Sequence, residues 1–148
     1  MPIDHLPRRL RRPAERLRSA MLTDGTALVI LGIACVARGA SYWGYNPRTG
    51  SSHPAEELMT IGLWSGVWII IGAMLVLIAG WHDTGTAAIL YGAGVALHIL
   101  WALSFLRATW TGDMPRGWVS AIGYATVAAL AVWSVWRGSR TEVRVKQR

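Results

Sequence analysis

The feature that most constrains the fold is an uninterrupted apolar segment at residues 58–80. It contains 23 residues, LMTIGLWSGVWIIIGAMLVLIAG, with no charge and no proline. A helix rises about 1.5 Å per residue, so a helix of this length crosses the ~30 Å hydrocarbon core of a bilayer. Its apolar residues surround the helix instead of forming one stripe, which is typical of a helix in lipid. The sequence therefore predicts an integral membrane protein.

Three further apolar segments extend this prediction to an all-α four-helix transmembrane bundle. The predicted spans are residues 25–45, 58–80, 84–106 and 117–136. The first span is the weakest, because Arg38 interrupts it and because it reaches about 20 residues only by including Tyr45. Tyr42, Trp43 and Tyr45 are expected to form an aromatic belt at the membrane interface.

The beginning of the chain also resembles a cleaved signal peptide, which is the alternative to a first span. A basic region precedes a short apolar region, and Ala37, Arg38 and Gly39 would form the cleavage region. The basic region is long for a signal peptide, and Arg38 is poorly placed beside a cleavage site. These two features favour an uncleaved span.

The basic residues cluster at the two ends of the chain and predict its orientation. The net charge is +7, from 15 basic and 8 acidic residues, with six arginines in residues 1–24 and five basic residues in 137–148. The two loops on the opposite side hold only Arg48, and Arg107 with Arg116. An excess of arginine and lysine marks the cytoplasmic side. Both termini are therefore predicted to be cytoplasmic, which agrees with an even number of crossings.

The placement of this charge also indicates its partner. Residues 1–24 form a short basic amphipathic juxtamembrane segment, which is either a solvated tail that only fixes the topology or a segment that lies on the membrane surface. Residues 137–148 form a basic cytoplasmic tail. Charge beside apolar spans favours anionic lipid headgroups over nucleic acid. The predicted location is a bacterial cell membrane, crossed several times.

Three polar residues are the candidate functional residues within the membrane. Arg38 lies seven residues, or about 10 Å, from the end of its span, and His98 lies eight residues, or about 12 Å, from the end of the third. Tyr124 is expected at a similar depth on the fourth span. Arg38 either contacts His98, Tyr124 or an anionic ligand inside the bundle, or extends to the headgroups. A hydrogen-bonded structural role is the main interpretation of His98.

Enzyme, metal and cofactor chemistry find little support in the sequence. Cys35 is the only cysteine, which excludes an internal disulfide and a CxxC motif. His53, Glu56 and Glu57 form a weak candidate metal group, but helix capping also explains the two acids. No catalytic serine, phosphate-binding or zinc motif is present. We therefore expect no enzymatic activity, no metal and no cofactor.

Rows of small residues at four-residue spacing predict where helices approach one another in lipid. The rows contain Gly62 and Gly66 on the second span, Ala88, Gly92 and Ala96 on the third, and Gly117, Ala121, Ala125 and Ala129 on the fourth. They would serve either packing within one bundle or self-association into a homo-oligomer.

The length, arginine bias, basic tail and hydropathy pattern resemble those of small four-span membrane proteins of actinobacterial phages, some of which are holin-like. The resemblance implies a non-enzymatic, self-associating membrane protein or lysis accessory, and it assigns no functional residue. An anchoring or regulatory subunit of another membrane protein is the alternative. A compact transporter like the small multidrug-resistance proteins is disfavoured, because those carry a carboxylate in the first span and the four spans here contain no Asp or Glu.

Overall fold

The computed structural model describes residues 24–43 and 53–145, with side chains for 25–43 and 53–137. The helices are α1 (Asp24–Ala40), α2 (Ile61–Ile78), α3 (Gly85–Thr111) and α4 (Gly117–Val145), with short 3-10 turns at Pro54–Glu57 and Ala79–Trp81. No strand occurs in this part of the chain. The predicted basic segment before Asp24 and the side chains of the basic tail after Arg137 lie outside the described residues.

The all-helical architecture predicted from hydropathy is confirmed, and three helices are long and apolar enough to cross a membrane. These are Ile61–Trp81 with 21 residues, Gly85–Thr111 with 27 and Gly117–Arg137 with 21. The apolar part of α1, Gly25–Ala40, is shorter. It ends before the predicted boundary at residue 45, because the chain turns at residues 41–43.

Local hydrogen bonds explain where α3 begins and ends. The hydroxyl of Thr84 accepts a hydrogen bond from the amide of Ala87 at 3.3 Å, which caps the first turn. Gly112 ends the helix with a φ of 86°, a left-handed conformation that favours glycine. The hydropathy pattern predicted that this helix ends at residue 106, but it ends at Thr111. The difference arises because the last turn is polar and still helical.

Close glycine contacts hold α1 antiparallel against α2. A Cβ added at Gly32 would lie 2.7 Å from the carbonyl oxygen of Gly72, and one added at Gly39 would lie 2.8 Å from that of Ser65. The hydroxyl of Ser65 donates a hydrogen bond to the carbonyl oxygen of Gly39 at 2.7 Å. The two backbones therefore come into close contact at Gly32 and at Gly39, which lie outside the predicted small-residue rows.

The second antiparallel pair, α3 and α4, is held at both ends. A Cβ at Gly117 would lie 2.8 Å from the carbonyl oxygen of Phe105. At the other end, the hydroxyl of Tyr91 lies 3.0 Å from the carbonyl oxygen of Ala131 and 3.0 Å from the hydroxyl of Ser134. Gly117 therefore lies at a helix contact, as expected for a member of the small-residue row on α4.

Most of the predicted small-residue rows lie on the outside of the bundle. A Cβ at Gly62, Gly66 or Gly92 would meet nothing within 4 Å. Exposed positions of the rows are Gly62, Ala88, Gly92, Ala96, Ala125 and Ala129, whereas Gly117 and Ala121 are buried. Apart from Gly117, the close glycine contacts within the bundle thus use other glycines, and the outward rows are open to a further helix.

Large apolar side chains cover the outer surface of all four helices. Examples are Ile30, Leu77, Ile89 and Leu130, whose exposed fractions are 63%, 73%, 74% and 58%. An apolar surface on every helix is unfavourable in water and is expected for helices surrounded by lipid tails.

Candidate functional site

Six side chains from all four helices form a closed ring in the interior, which we call the interior ring. Its members are Arg38 of α1, Tyr42 of the following turn, Trp68 of α2, His98 and Trp101 of α3, and Tyr124 of α4. It lies toward the end of the bundle where α1 and α3 finish and α2 and α4 begin. We call this the aromatic end.

Arg38 closes the ring between two tyrosines. Its guanidinium carbon lies 4.7 Å from the ring centroid of Tyr42 and 5.0 Å from that of Tyr124. Both distances are within the range of a cation–π interaction. Of the two positions considered for Arg38, the structure has the contact with Tyr124 inside the bundle, and the Nε atom is buried.

Aromatic contacts complete the ring on its other side. The ring of Trp68 lies edge-on to His98 at 4.9 Å and edge-on to Trp101 at 5.2 Å. His98 lies 6.1 Å from Tyr124, and Trp101 lies 6.4 Å from Tyr42. The two edge-on contacts of Trp68 place the positive edge of one ring against the negative face of another.

Hydrogen bonds fix the orientation of the ring members on α3. The indole N–H of Trp101 donates to the hydroxyl of Tyr42 at 2.7 Å. His98 is buried, and its Nδ1–H donates to the carbonyl oxygen of Gly94 at 2.8 Å. This bond within the helix matches the structural, hydrogen-bonded interpretation of His98.

His53 lies above the ring and connects it to the chain before α2. Its Nδ1 accepts a hydrogen bond from the amide of Ala55 at 3.1 Å. The proton of the neutral imidazole is therefore on Nε2, which lies 3.3 Å from the hydroxyl of Tyr42. Burial, and then the positive charge of Arg38, lower the pKa of His53 from its ordinary value of 6.5 to about 4. His53 is thus neutral at physiological pH.

Two polar atoms of the interior ring have no hydrogen-bond partner among the described residues. They are the Nε of Arg38 and the Nε1 of Trp68. Trp68 is fully buried. Both atoms are hydrogen-bond donors.

The structure brings together all three candidate residues of the sequence analysis, Arg38, His98 and Tyr124, in one ring. Tyr42 was expected in an interfacial belt, but it is buried because the turn after α1 directs its hydroxyl to Trp101. Tyr42 was missed as a site residue, and His53 was considered only as part of a weak metal group. Only the concentration of tryptophans at this depth could have indicated a buried partner for Tyr42.

A cavity of about 590 Å³ lies beside the ring at the aromatic end. Its polar lining includes His53, Glu56, Glu57, Arg107 and Asp113. The Nη2 of Arg107 lies 2.6 Å from a carboxylate oxygen of Glu57, and both side chains are exposed. Within residues 25–43 and 53–137, no group of three or more His, Cys, Asp and Glu residues is arranged to hold a metal ion.

Comparisons of the chain with protein-family models, curated proteins and solved structures give no match.

Proposed function

We propose that this protein is a four-span integral membrane protein without enzymatic activity, which self-associates in the bilayer of a bacterial cell as holin-like phage proteins do. Both termini face the cytoplasm. The observation that carries the proposal is the outward position of the small-residue rows on α2 and α3. These rows are placed where a second copy can approach, and not where they would pack the bundle.

The packing of α1 supports a fourth span. A 17-residue helix is about 25 Å long, which is short for a bilayer. Yet α1 lies antiparallel along α2, with Gly32 opposite Gly72 and Gly39 opposite Ser65. A helix in contact with a spanning helix over this length occupies the same layer. The distribution of arginines then supports cytoplasmic ends.

The outward rows support self-association in lipid. Association of helices in a bilayer depends on close backbone packing, for which glycine and alanine are favourable. Gly66 on α2 and Gly92 on α3 have no neighbour within 4 Å of an added Cβ. A partner helix could therefore pack on either without displacing any part of this bundle.

The topology is tested with reporters fused after Gly50, Asp83, Gly112 and Arg148. Reporters at Gly50 and Gly112 are expected outside the cell, and those at Asp83 and Arg148 inside. An external signal at Asp83 or Arg148 would contradict the four-span arrangement.

Self-association is tested by energy transfer between labelled copies in liposomes at a fixed protein-to-lipid ratio. Gly66→Leu and Gly92→Leu are each expected to reduce it several-fold, because a bulky side chain keeps the partner backbone away. Gly123→Leu is the matched control, since Gly123 on α4 is equally open and lies outside the rows. Equal energy transfer in all four proteins would contradict the proposal.

A membrane-potential dye during controlled expression separates holin-like activity from an anchoring role. A pore-forming oligomer is expected to collapse the potential, and the Gly92→Leu variant is expected to delay the collapse. An oligomer that leaves the potential intact would instead favour an anchoring or regulatory subunit.

A further inference from the structure

We propose that the cavity at the aromatic end binds the headgroup of a phospholipid through a primary ammonium group, as carried by phosphatidylethanolamine. The inference rests on the proposed placement of the bundle in a bilayer, and it is independent of self-association. The volume of about 590 Å³ is that of pockets that hold small ligands, which enclose roughly 300–1,000 Å³. The cavity therefore has room for a headgroup.

The first argument is the excess of negative charge in the lining. Among the described residues, the charged side chains of the lining are three carboxylates and one guanidinium, those of Glu56, Glu57, Asp113 and Arg107. His53 also lines the cavity but is neutral at physiological pH. Arg38 lies between Tyr42 and Tyr124 and is not part of the lining. Three negative charges against one positive charge leave two unbalanced, which favours a cationic group in the cavity.

The second argument is that two of these carboxylates have capacity for hydrogen-bond donors. Glu57 is paired with Arg107, but the Oε1 of Glu56 is buried and has no partner within the part of the chain that the structure describes. The terminal torsion of a glutamate is soft, so this carboxylate rotates easily toward a donor. Asp113 is exposed and accepts a hydrogen bond from the hydroxyl of Thr111, and an ionised carboxylate accepts several.

The composition of the lining selects a primary over a quaternary ammonium. Proteins recognise quaternary ammonium groups through the faces of Trp, Tyr and Phe. None of these residues lines the cavity in residues 25–43 and 53–137. The acceptors are carboxylates instead, and a primary ammonium offers them three N–H donors whereas a trimethylammonium offers none.

The polarity of the cavity changes along α3, and this gradient favours a lipid over a soluble amine. Leu100 and Leu103 line it seven and four residues before Arg107, which is about 10 and 6 Å deeper along the helix. Leu58 and Leu103 are also 70% and 57% exposed, so the cavity borders the apolar outer surface of the bundle. A headgroup beside the charged residues would leave its acyl chains on that surface.

Arg107 provides a contact for the phosphate of the same headgroup. A guanidinium has five N–H donors, and the pair with Glu57 uses only those on Nη2. The side chain of Arg107 is 63% exposed, so donors remain for a phosphate oxygen. The lining thus offers both signs of charge to a zwitterionic headgroup.

Lipid selectivity is tested by native mass spectrometry of the delipidated full chain in a nonionic detergent. Phosphatidylethanolamine, phosphatidylcholine and phosphatidylglycerol with identical acyl chains are added in equal amounts. We expect phosphatidylethanolamine to be retained at least five-fold more than either competitor, because phosphatidylcholine lacks N–H donors on its cation and phosphatidylglycerol lacks the cation. Equal retention of the three lipids, or a preference for either competitor, would overturn the proposal.

A water-soluble headgroup separates a lipid from a free amine. Glycerophosphoethanolamine carries the same ammonium and phosphate groups without acyl chains. It is expected to displace phosphatidylethanolamine only at a concentration at least 100-fold higher than that of the lipid. Displacement at an equal concentration would show that the acyl chains contribute nothing, and it would overturn the assignment to a lipid.

Three variants assign the selectivity to the cavity. Glu56→Gln and Asp113→Asn are each expected to reduce the preference for phosphatidylethanolamine over phosphatidylcholine at least three-fold. The control Asp83→Asn changes an exposed carboxylate outside the cavity and should keep the wild-type preference. Asp113 is exposed, so its variant is expected to fold. A wild-type preference in Asp113→Asn would overturn the proposal even if Glu56→Gln does not fold.

The outcome is distinguishable from that of the topology experiment. Reporters at the positions expected for four spans, together with no lipid preference, would overturn the lipid site alone. An external signal at Asp83 or Arg148 would instead contradict the membrane arrangement on which the lipid site rests.

Discussion

Gly32 and Gly72 pack backbone against backbone where α1 meets α2. A Cβ at Gly72 would lie 2.6 Å from the carbonyl oxygen of Gly32, and a Cβ at Gly32 would lie 2.7 Å from that of Gly72. Carbon and oxygen atoms do not approach so closely, so neither position accepts a side chain unless the helices separate. The contact is thus a requirement of the fold on both helices.

Gly72→Ala is expected to destabilise the protein by about 1–2 kcal/mol. Overpacking a close contact costs roughly 1–3 kcal/mol, and the better helix propensity of alanine offsets up to about 1 kcal/mol of this. The control is Gly123→Ala, where nothing lies within 4 Å of the new Cβ. That variant should be stabilised by up to about 1 kcal/mol. Detergent-based unfolding of both variants checks the prediction, and stabilisation of both would contradict it.

Glu57→Gln is expected to change the free energy of unfolding by less than about 1 kcal/mol. The carboxylate of Glu57 lies 2.6 Å from Nη2 of Arg107, but both side chains are more than half exposed. Exposed ion pairs contribute little because water solvates and salt screens the charges. A double-mutant cycle with Arg107→Met at low and high salt measures the coupling. A coupling above about 2 kcal/mol that is insensitive to salt would contradict this interpretation.

The existence of the helices could be predicted from the sequence because lipid, and not water, is their expected surroundings. A long apolar segment must satisfy its own backbone hydrogen bonds in lipid, so α2 and α3 are recognisable from composition alone. The end of α3 could not be predicted from composition. Its last residue, Thr111, is polar and its cap, Gly112, is small, but the helix continues to Thr111. The end of α1 was also predicted wrongly. A tyrosine near the end of an apolar segment, such as Tyr42, is expected both in an interfacial belt and in a buried turn, so the sequence does not distinguish the two.

For a related physical reason, the sequence could not predict which side of each helix packs against the bundle and which side faces outward. In water, the polar side of a helix identifies its exposed face, but a helix that is apolar all round gives no such indication. Gly66 and Gly72 are therefore equivalent in the sequence of α2. Only the structure shows that Gly72 contacts α1 and that Gly66 faces outward.

Tyr42→Phe is expected to destabilise the protein by about 1–3 kcal/mol. The tyrosine hydroxyl accepts the indole N–H of Trp101 at 2.7 Å, and Trp101 is fully buried. Removing the hydroxyl leaves a buried donor without its acceptor. Trp43→Phe, at a position that is 83% exposed, is the control and should have little effect. Unfolding measurements on both variants test this, and equal stability of Tyr42→Phe and wild type would exclude an important role for the bond.

The stability of the protein is expected to fall between pH 6.5 and about 4 because of His53. Burial and Arg38 lower its folded-state pKa to about 4 from an ordinary value of 6.5. Over this interval the unfolded chain binds a proton that the folded chain does not, so acid favours unfolding. Below about pH 4 both states are protonated and the contribution no longer changes.

Protonation of His53 also removes the acceptor for the amide of Ala55. The pH dependence is measured by unfolding wild type and His53→Gln between pH 7.5 and 3.5. The difference between wild type and His53→Gln isolates His53 from the titrating carboxylates, and it should change with the expected sign only below pH 6.5. A wild-type curve parallel to that of His53→Gln would show that the pKa of His53 is the same in the folded and unfolded chains.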